Sequence, residues 1–247
     1  MPTPLNPATG FGQRIVDALL ARIVGGEWAA DQRLPVEREL AALFGCTRIT
    51  LREALQQLES EGYLYRENRR GWFVSAPRVR HDPTSIAGFM QYVAAQGGTP
   101  RTELLSARRQ PAGATLARQL ELDEAGAEVF VLQRRRWIGR RAVLLETNAI
   151  LAAWAPTLLD HDLAGSLSTV LGQRLGLHLA RSRLSMYPAT LVAEQAALLQ
   201  STAGTPCFRL QRVSYAADGR AVELDSESWR HDVLEVTVEV EVQAPPQ

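Results

Sequence analysis

Two signals one residue apart, a helix stop at Gly45 and a helix start at Thr47, constrain this chain more than any other feature. Glycine suits the left-handed position that closes a helix. Threonine is a good N-cap, because its hydroxyl accepts a bond from an N–H that the first turn leaves unpaired. With only Cys46 between them, the helices on either side must turn sharply on one another. The upstream helix opens at Leu34-Pro35, since proline suits a first helical position, and carries Leu40, Leu43 and Phe44. The downstream helix runs over 48–61, with Leu51, Ala54, Leu55 and Leu58 on one face and Gly62 as its stop. An earlier helix over 11–25 has Ile15, Leu19 and Ile23 at four-residue spacing. After Gly62, Tyr63-Leu64-Tyr65 and Trp72-Phe73-Val74 read as short strands around the basic turn Glu67-Asn68-Arg69-Arg70-Gly71. Helix, helix, tight turn, helix and hairpin is the order of a winged helix-turn-helix.

Beyond it the grammar changes. Residues 76–83, with Pro77, Arg78, Arg80 and His81, read as a linker. Short alternating strands then appear between short helices, which indicates an α+β domain. This part contains an internal echo: Leu132-Gln133-Arg134 before Arg141-Ala142-Val143 resembles Leu210-Gln211-Arg212 before Arg220-Ala221-Val222. Both read as hairpins, around Gly139 and around Asp218-Gly219. Helices are expected over 114–120, 166–175 and 189–200, and a final strand over 234–242 in a sheet with one wet face. The boundaries read as 1–76 for the head, 77–90 for the linker and 91–247 for the second domain. A length of 247 residues fits two domains.

Composition excludes several classes. The chain has no lysine, so neither a Schiff-base lysine nor a P-loop lysine is available. Cys46 and Cys207 lie far apart, and His81, His161, His178 and His231 show no metal-ligand spacing. No metal or cofactor is expected. The first ten residues lack the apolar region of a signal peptide, and no apolar run approaches the ~18 residues of a membrane span; the default location is the cytoplasm. A net charge of zero and a pI near 6.9 argue weakly against a nucleic-acid binder, so that case must rest on where the charge sits.

It sits at the start of the third helix. Arg48 and Arg52 are four apart, on one face and away from the Leu51/Leu55/Leu58 stripe. Like charges at this spacing repel, and the N-terminal end of a helix already favours anions. The pair costs stability unless a polyanion answers it; otherwise it is an ordinary solvated face. Arginine can bind phosphate or grip a guanine edge, and the Thr47 and Thr50 hydroxyls can bond phosphates beside the free N–H groups. Arg69-Arg70 at the hairpin tip is a second basic point. Residues 1–76 hold nine arginines and nine acids, so binding must use a local basic edge.

Leu34-Pro35-Val36-Glu37-Arg38-Glu39-Leu40-Ala41, then Gly45-Cys46-Thr47-Arg48-Ile49-Thr50-Leu51-Arg52-Glu53-Ala54-Leu55, then Leu58-Glu59-Ser60-Glu61-Gly62-Tyr63-Leu64 resembles the DNA-binding signature of the GntR family. The resemblance implies that Arg38 binds phosphate, Arg48 and Arg52 contact bases and phosphate, and Thr47 and Thr50 bind the backbone. It also implies that a wing at Arg69, Arg70 and Gly71 enters the minor groove. Ile49 stands where the family often has a small polar residue.

In the second domain Arg134 and Arg136 are two apart on a strand and so share a face. A three-residue loop from Gly139 to Arg141 would set Arg134 opposite Glu146. Ser166 after Gly165 should N-cap a helix. A serine, free helix N–H groups and two arginines make an anion site suited to phosphate or phosphonate; the bland readings are an exposed sheet face and simple capping. This domain resembles the UTRA domain of the HutC branch, which shares the chorismate-lyase-like antiparallel-sheet fold. The resemblance implies that the arginines and Ser166 hold a phosphate, that Glu146 and Glu223 hold the rest of a ligand, and that Thr102 is another anion-binding hydroxyl. Trp229 stands where relatives have tyrosine. Glu223, Asp225, Glu227 and Trp229 share one strand face; these acids either take a ligand amine or pair with Arg212 and Arg220. Arg69-Arg70-Gly71-Trp72-Phe73-Val74 and Asp82-Pro83-Thr84 resemble phosphonate-utilisation regulators of this branch, so an aminoalkylphosphonate is the first candidate effector, with a sugar phosphate or a urocanate-like carboxylate as rivals. The expected protein is a ligand-responsive regulator, a homodimer on inverted-repeat double-stranded operator DNA. Although the fold is shared with a lyase, no Ser/His/Asp or Cys/His arrangement supports turnover, and no enzyme is expected.

Overall fold

The computed structural model describes residues 10–67, 69–85, 87–122 and 126–240. The chain divides into two compact units: one runs to Arg78 and takes in Gln200–Thr202 and His231–Val233, and the other comprises Val79–Leu199, Ala203–Arg230 and the chain from Leu234.

The first unit holds α1 (Phe11–Val24), α2 (Glu37–Leu43), α3 (Arg48–Ser60), β1 (Leu64–Glu67) and β2 (Gly71–Val74). Leu19, Leu40, Leu51, Leu55, Leu58 and Leu64 are completely buried in one core, closed by Trp72 and Val74 from the hairpin. The expected punctuation is present: Gly45 and Gly62 have φ of +59° and +85°, the left-handed region that glycine enters freely. Thr47 caps α3 by accepting a bond from the Thr50 N–H at 3.2 Å. Helix α2 opens two residues later than the proline predicts, because Leu34 N–H is drawn to the Trp72 carbonyl (2.8 Å) and Val36 becomes the N-cap. Tyr63 is not in a strand; its N–H closes the end of α3 on Leu58. Asn68, at the hairpin tip, lies outside the described residues.

The second unit is built on β4 (Pro100–Pro111), β5 (Glu128–Ile138), β6 (Arg141–Leu151), β7 (Arg181–Thr190), β8 (Pro206–Tyr215) and β9 (Ala221–Arg230). They form one antiparallel sheet in the order β4-β5-β6-β9-β8-β7. The order reads the same from both edges, and the sequence echo is the reason: β5–β6 and β8–β9 are two copies of one hairpin meeting at the central β6·β9 pair. Register carries the echo into chemistry. Arg134 lies opposite Glu146, and Arg212 opposite Asp225.

The pairing of Arg134 with Glu146 is as expected, but the loop is not. Ile138 pairs with Arg141 across a two-residue turn, and a bulge between Arg136 and Trp137 restores the shift that the longer loop would have given. One face of the sheet packs Val129, Val131, Ala149, Val213 and Leu224 under α5 (Gly113–Gln119), and Leu145 and Ala142 against α7 (Ala193–Leu198). The opposite face packs Phe130, Leu132 and Ile150 against Leu163, Leu167 and Leu171. The helix expected over 166–175 is only α6 (Leu167–Thr169), which widens into a π turn over Val170–Arg174. The helix expected from residue 189 begins at Ala193, because Ala189 and Thr190 still pair with β8. The stretch read as linker contains β3 (Val79–His81) and the start of α4 (Phe89–Ala95). The final strand is also shorter than its alternation indicates: β10 (Leu234–Val236) pairs with β3 in parallel over three residues, and 241–242 lie outside the described residues. Beyond β10 the Thr237 N–H still donates, at 3.1 Å, to the carbonyl of His81, the last residue of β3. Among the described residues, no helix is long and apolar enough to cross a membrane.

Candidate functional sites

Residues 33–38 at the entry to α2, Arg48 at the start of α3 and the hairpin frame a concavity of about 380 Å³ in the first unit, lined by Arg33, Arg38, Arg48, Arg66, Arg69 and Arg70, with Glu37 as its one carboxylate. The zero net charge of the segment therefore hides a one-sided distribution: Glu27 and Asp31, for example, are not among the lining residues. Among the described residues Arg38, Arg48 and Arg69 make no ion pair, so their charge faces water. Such a surface raises the local concentration of a polyanion.

Arg52 is held differently. Its Nη2 lies 2.7 Å from Glu37 Oε2, while Trp72 Nε1 donates to the other Glu37 oxygen at 3.1 Å. One carboxylate thus ties α2 to α3 and to the hairpin, and the Arg52 guanidinium holds Glu37 below the usual carboxylate range. Arg70 bonds Glu67 and lies over the Phe73 ring, 5.4 Å from its centroid. Arg69 and Gly71 both have positive φ, +62° and +103°; Gly71 occupies a conformation that disfavours any side chain. Thr47 and Thr50 share a hydroxyl–hydroxyl bond of 3.0 Å at the mouth of α3. Sequence reasoning missed Arg33, Arg66 and Glu37. Arg66 was detectable, as the single outward position of β1 on the side of the basic turn; Arg33 and Glu37 come together only through the fold.

In the second unit the predicted ligand residues converge on a buried charged cluster. Arg134 is 1% exposed and Arg136 5%, and a guanidinium Nη2 from each lies 2.8 Å from the same Glu146 oxygen. Arg136 also donates to Thr102 Oγ1 at 2.8 Å, and Arg134 reaches the Gly165 carbonyl at 3.4 Å, next to Ser166. Ser166 itself caps Thr169 N–H at 3.3 Å. Helix α4 lies against this cluster: Phe89 stands 5.0 Å from the Arg136 guanidinium and 6.0 Å from the Trp229 ring. Trp229 is fully buried, with its indole N–H bonded to Glu227 at 2.5 Å. The acids divide into two kinds. The guanidiniums of Arg134 and Arg136 outweigh burial at Glu146 and hold it ionised, below its ordinary range. Burial pushes Glu223, Asp225 and Glu227 up, and the charge of Glu146 pushes them further. The oxygens of Glu146, Asp225 and Glu227 lie within 4.8 Å of one another. Arg220 does not reach them; it pairs with Asp218 at 2.7 Å.

Four atoms of this cluster have no hydrogen-bond partner despite full burial: two donors, Arg134 Nε and Arg212 Nε, and two acceptors, Asn148 Oδ1 and Asp225 Oδ1. Tyr92 and Asn148 also belong to the cluster and were not singled out from sequence; Arg212, named from sequence as a possible partner of the acids, belongs to it too, and the echo equates it with Arg134.

Comparison with known proteins agrees with both halves. The profile of the bacterial regulatory proteins of the gntR family matches residues 11–74, and that of the UTRA domain matches residues 95–235. The HTH-type transcriptional repressor NagR of Bacillus subtilis strain 168 is 27% identical over 219 residues, which is 89% of this chain and 90% of NagR. The crystal structure of PhnF from Mycobacterium smegmatis superposes with a TM-score of 0.64 at 30% identity, covering 92% of this chain and 99% of PhnF. The effector domain of PhnF alone superposes with a TM-score of 0.60 over 66% of this chain. These relatives are regulators and not enzymes. With its winged helix-turn-helix followed by a six-stranded antiparallel domain, the chain belongs to the GntR family of DNA-binding transcriptional regulators, in the HutC subfamily that carries a UTRA domain.

Proposed function

We propose that this regulator represses a catabolic operon from an inverted-repeat operator and is released by a small anionic effector, a phosphonate such as an aminoalkylphosphonate or a phosphorylated metabolite. The similarity to the repressor NagR supports the sign. Arg48, Arg52, Thr47 and Thr50 address the major groove and its phosphates, Arg38 a flanking phosphate, and Arg69, Arg70 and Gly71 the minor groove.

The observation that carries the effector reading is the unpaired donors and unpaired acceptors inside one buried cluster. Each buried unpaired group costs about 1–3 kcal/mol. A ligand with an anionic end for Arg134, Arg136, Thr102 and Ser166, and an ammonium end for Asp225, Glu227 and Glu223, removes that cost at both ends. Glu146, shared by two guanidiniums, is then the counter-charge with which the anion competes. Trp229, tied to Glu227, closes the cationic end.

A homodimer suits a palindromic site. Its support is β7, an edge strand of ten residues with Met186 and Tyr187 exposed, which a second copy would cover. Effector then acts on the spacing of two reading heads through residues 76–83, and only to the extent that it binds one arrangement more tightly than the other. Such a protein works in the cytoplasm.

Arg134→Ala tests the site, because Arg136 still neutralises Glu146 and the fold is retained. The variant should bind operator like the parent and lose induction; equal induction in both would refute the assignment. Thermal shifts with aminoethylphosphonate, a hexosamine phosphate and urocanate separate the effector classes, and no shift with any phosphonate would exclude that class.

A further inference from the structure

Ile49 is an exposed apolar side chain between Arg48 and Thr50 at the start of α3. It is 73% exposed and is the second residue of α3. At about 100° per residue it points about 170° away from the mean direction of Leu51, Ala54, Leu55 and Leu58, the centre of the face that leaves the core. Arg52 and Arg48 stand about 60° and 100° to one side of it, and Glu53 about 40° to the other. It belongs to no core cluster of the head, and its branched Cβ slightly disfavours the helix it sits in. Among the described residues of the head, no core contact accounts for it.

The N-terminal residues of a reading helix are those that reach base edges. Along the major groove the thymine C5-methyl is the apolar group on offer. We propose that Ile49 is a specificity-determining residue that packs on a thymine methyl in each half-site, flanked by the arginines that hold the phosphates and purine edges. This rests on the DNA-reading assignment of α3 made above. It makes α3 a reader of mixed chemistry: charge fixes its register, and an apolar contact selects thymine over cytosine at one position.

The test uses full-length protein and duplexes that it selects from a random-sequence pool. Each thymine of a half-site is replaced in turn by deoxyuridine, which removes the methyl and nothing else. In the parent, one position should weaken binding roughly fourfold per half-site, the equilibrium factor for one buried methyl-sized group. Ile49→Ala, an exposed change to a better helix former, should bind the thymine and deoxyuridine duplexes equally. The contact is overturned if no deoxyuridine position weakens the parent, or if the same penalty persists in Ile49→Ala. Competition of the unmodified duplex against unrelated DNA separates the two levels. Specific binding with deoxyuridine insensitivity removes Ile49 alone, whereas loss of specific binding removes the assignment of α3 as well.

Discussion

Replacing Glu146 by glutamine keeps the shape of the side chain and removes its charge, at a point where two buried guanidiniums depend on it. Arg134 Nη2 and Arg136 Nη2 each lie 2.8 Å from one Glu146 oxygen, and both arginines are at least nine-tenths buried. Removing one partner of a buried ion pair costs about 3–5 kcal/mol, because the remaining charge is left uncompensated. The lower end applies here: Asp225 and Glu227, pushed up by burial and by Glu146, lose that repulsion. A loss of about 3 kcal/mol lowers the transition of a domain of this size by roughly 6–12 °C. Calorimetry on full-length Glu146→Gln should show the second-domain transition displaced by that amount while the head transition stays. Phosphate or aminoethylphosphonate should then raise the variant's transition more than the parent's, since the anion replaces a missing counter-charge; saturation to a hundredfold over Kd returns about 2.7 kcal/mol. A second-domain transition within a degree of the parent's, or an anion shift no larger than the parent's, would refute the view that Glu146 is the internal competitor of the effector.

Two further outcomes follow from the same geometry. Glu37→Gln releases Arg52 and weakens the hold on Trp72, so one more cation is free to meet phosphate; the slope of log K against log salt should steepen by about 0.9, and an unchanged slope in anisotropy titrations would mean that Arg52 stays on residue 37 in the complex. His81 is buried, and desolvation, assisted by the charge of Arg212, pushes its imidazole down to about 4. The unfolded chain takes up this proton near 6.5, so the contribution is fully present above about pH 6.5 and is lost as pH falls toward 4, a limit of about 3 kcal/mol. His81→Phe should flatten that part of the stability profile by denaturant titration, and parallel profiles for parent and variant would contradict it.

Much of the reading head was legible because its signals are local. Gly45, Thr47 and Gly62 act within one turn of the chain, and the apolar stripes need only the helical period. The echo in the second half was equally legible; Arg134 does stand opposite Glu146, as a three-residue loop implied, but the loop has two residues and a bulge supplies the difference. What the sequence did not show depends on contacts between distant segments. The Glu37–Arg52 pair spans 15 residues and the Glu37–Trp72 bond 35, so Arg52 read as free. Arg134 and Arg136 read as an open anion site because strand alternation gives the face of a side chain and not what covers it; α4 and Glu146 supply the cover and the counter-charge. The final strand failed for the complementary reason, since β10 ends where β3 does.

The account stands most directly on the basic edge of α3. Operator binding should be measured by fluorescence anisotropy for the parent and for Arg48→Ala/Arg52→Ala across a salt series. Loss of at least about tenfold in affinity, with a salt slope shallower by about 0.9 for the lost phosphate-neutralising charge of Arg48, Arg52 being held by Glu37 in the parent, is the expected result. Equal affinity and equal slope for the two proteins would contradict the account.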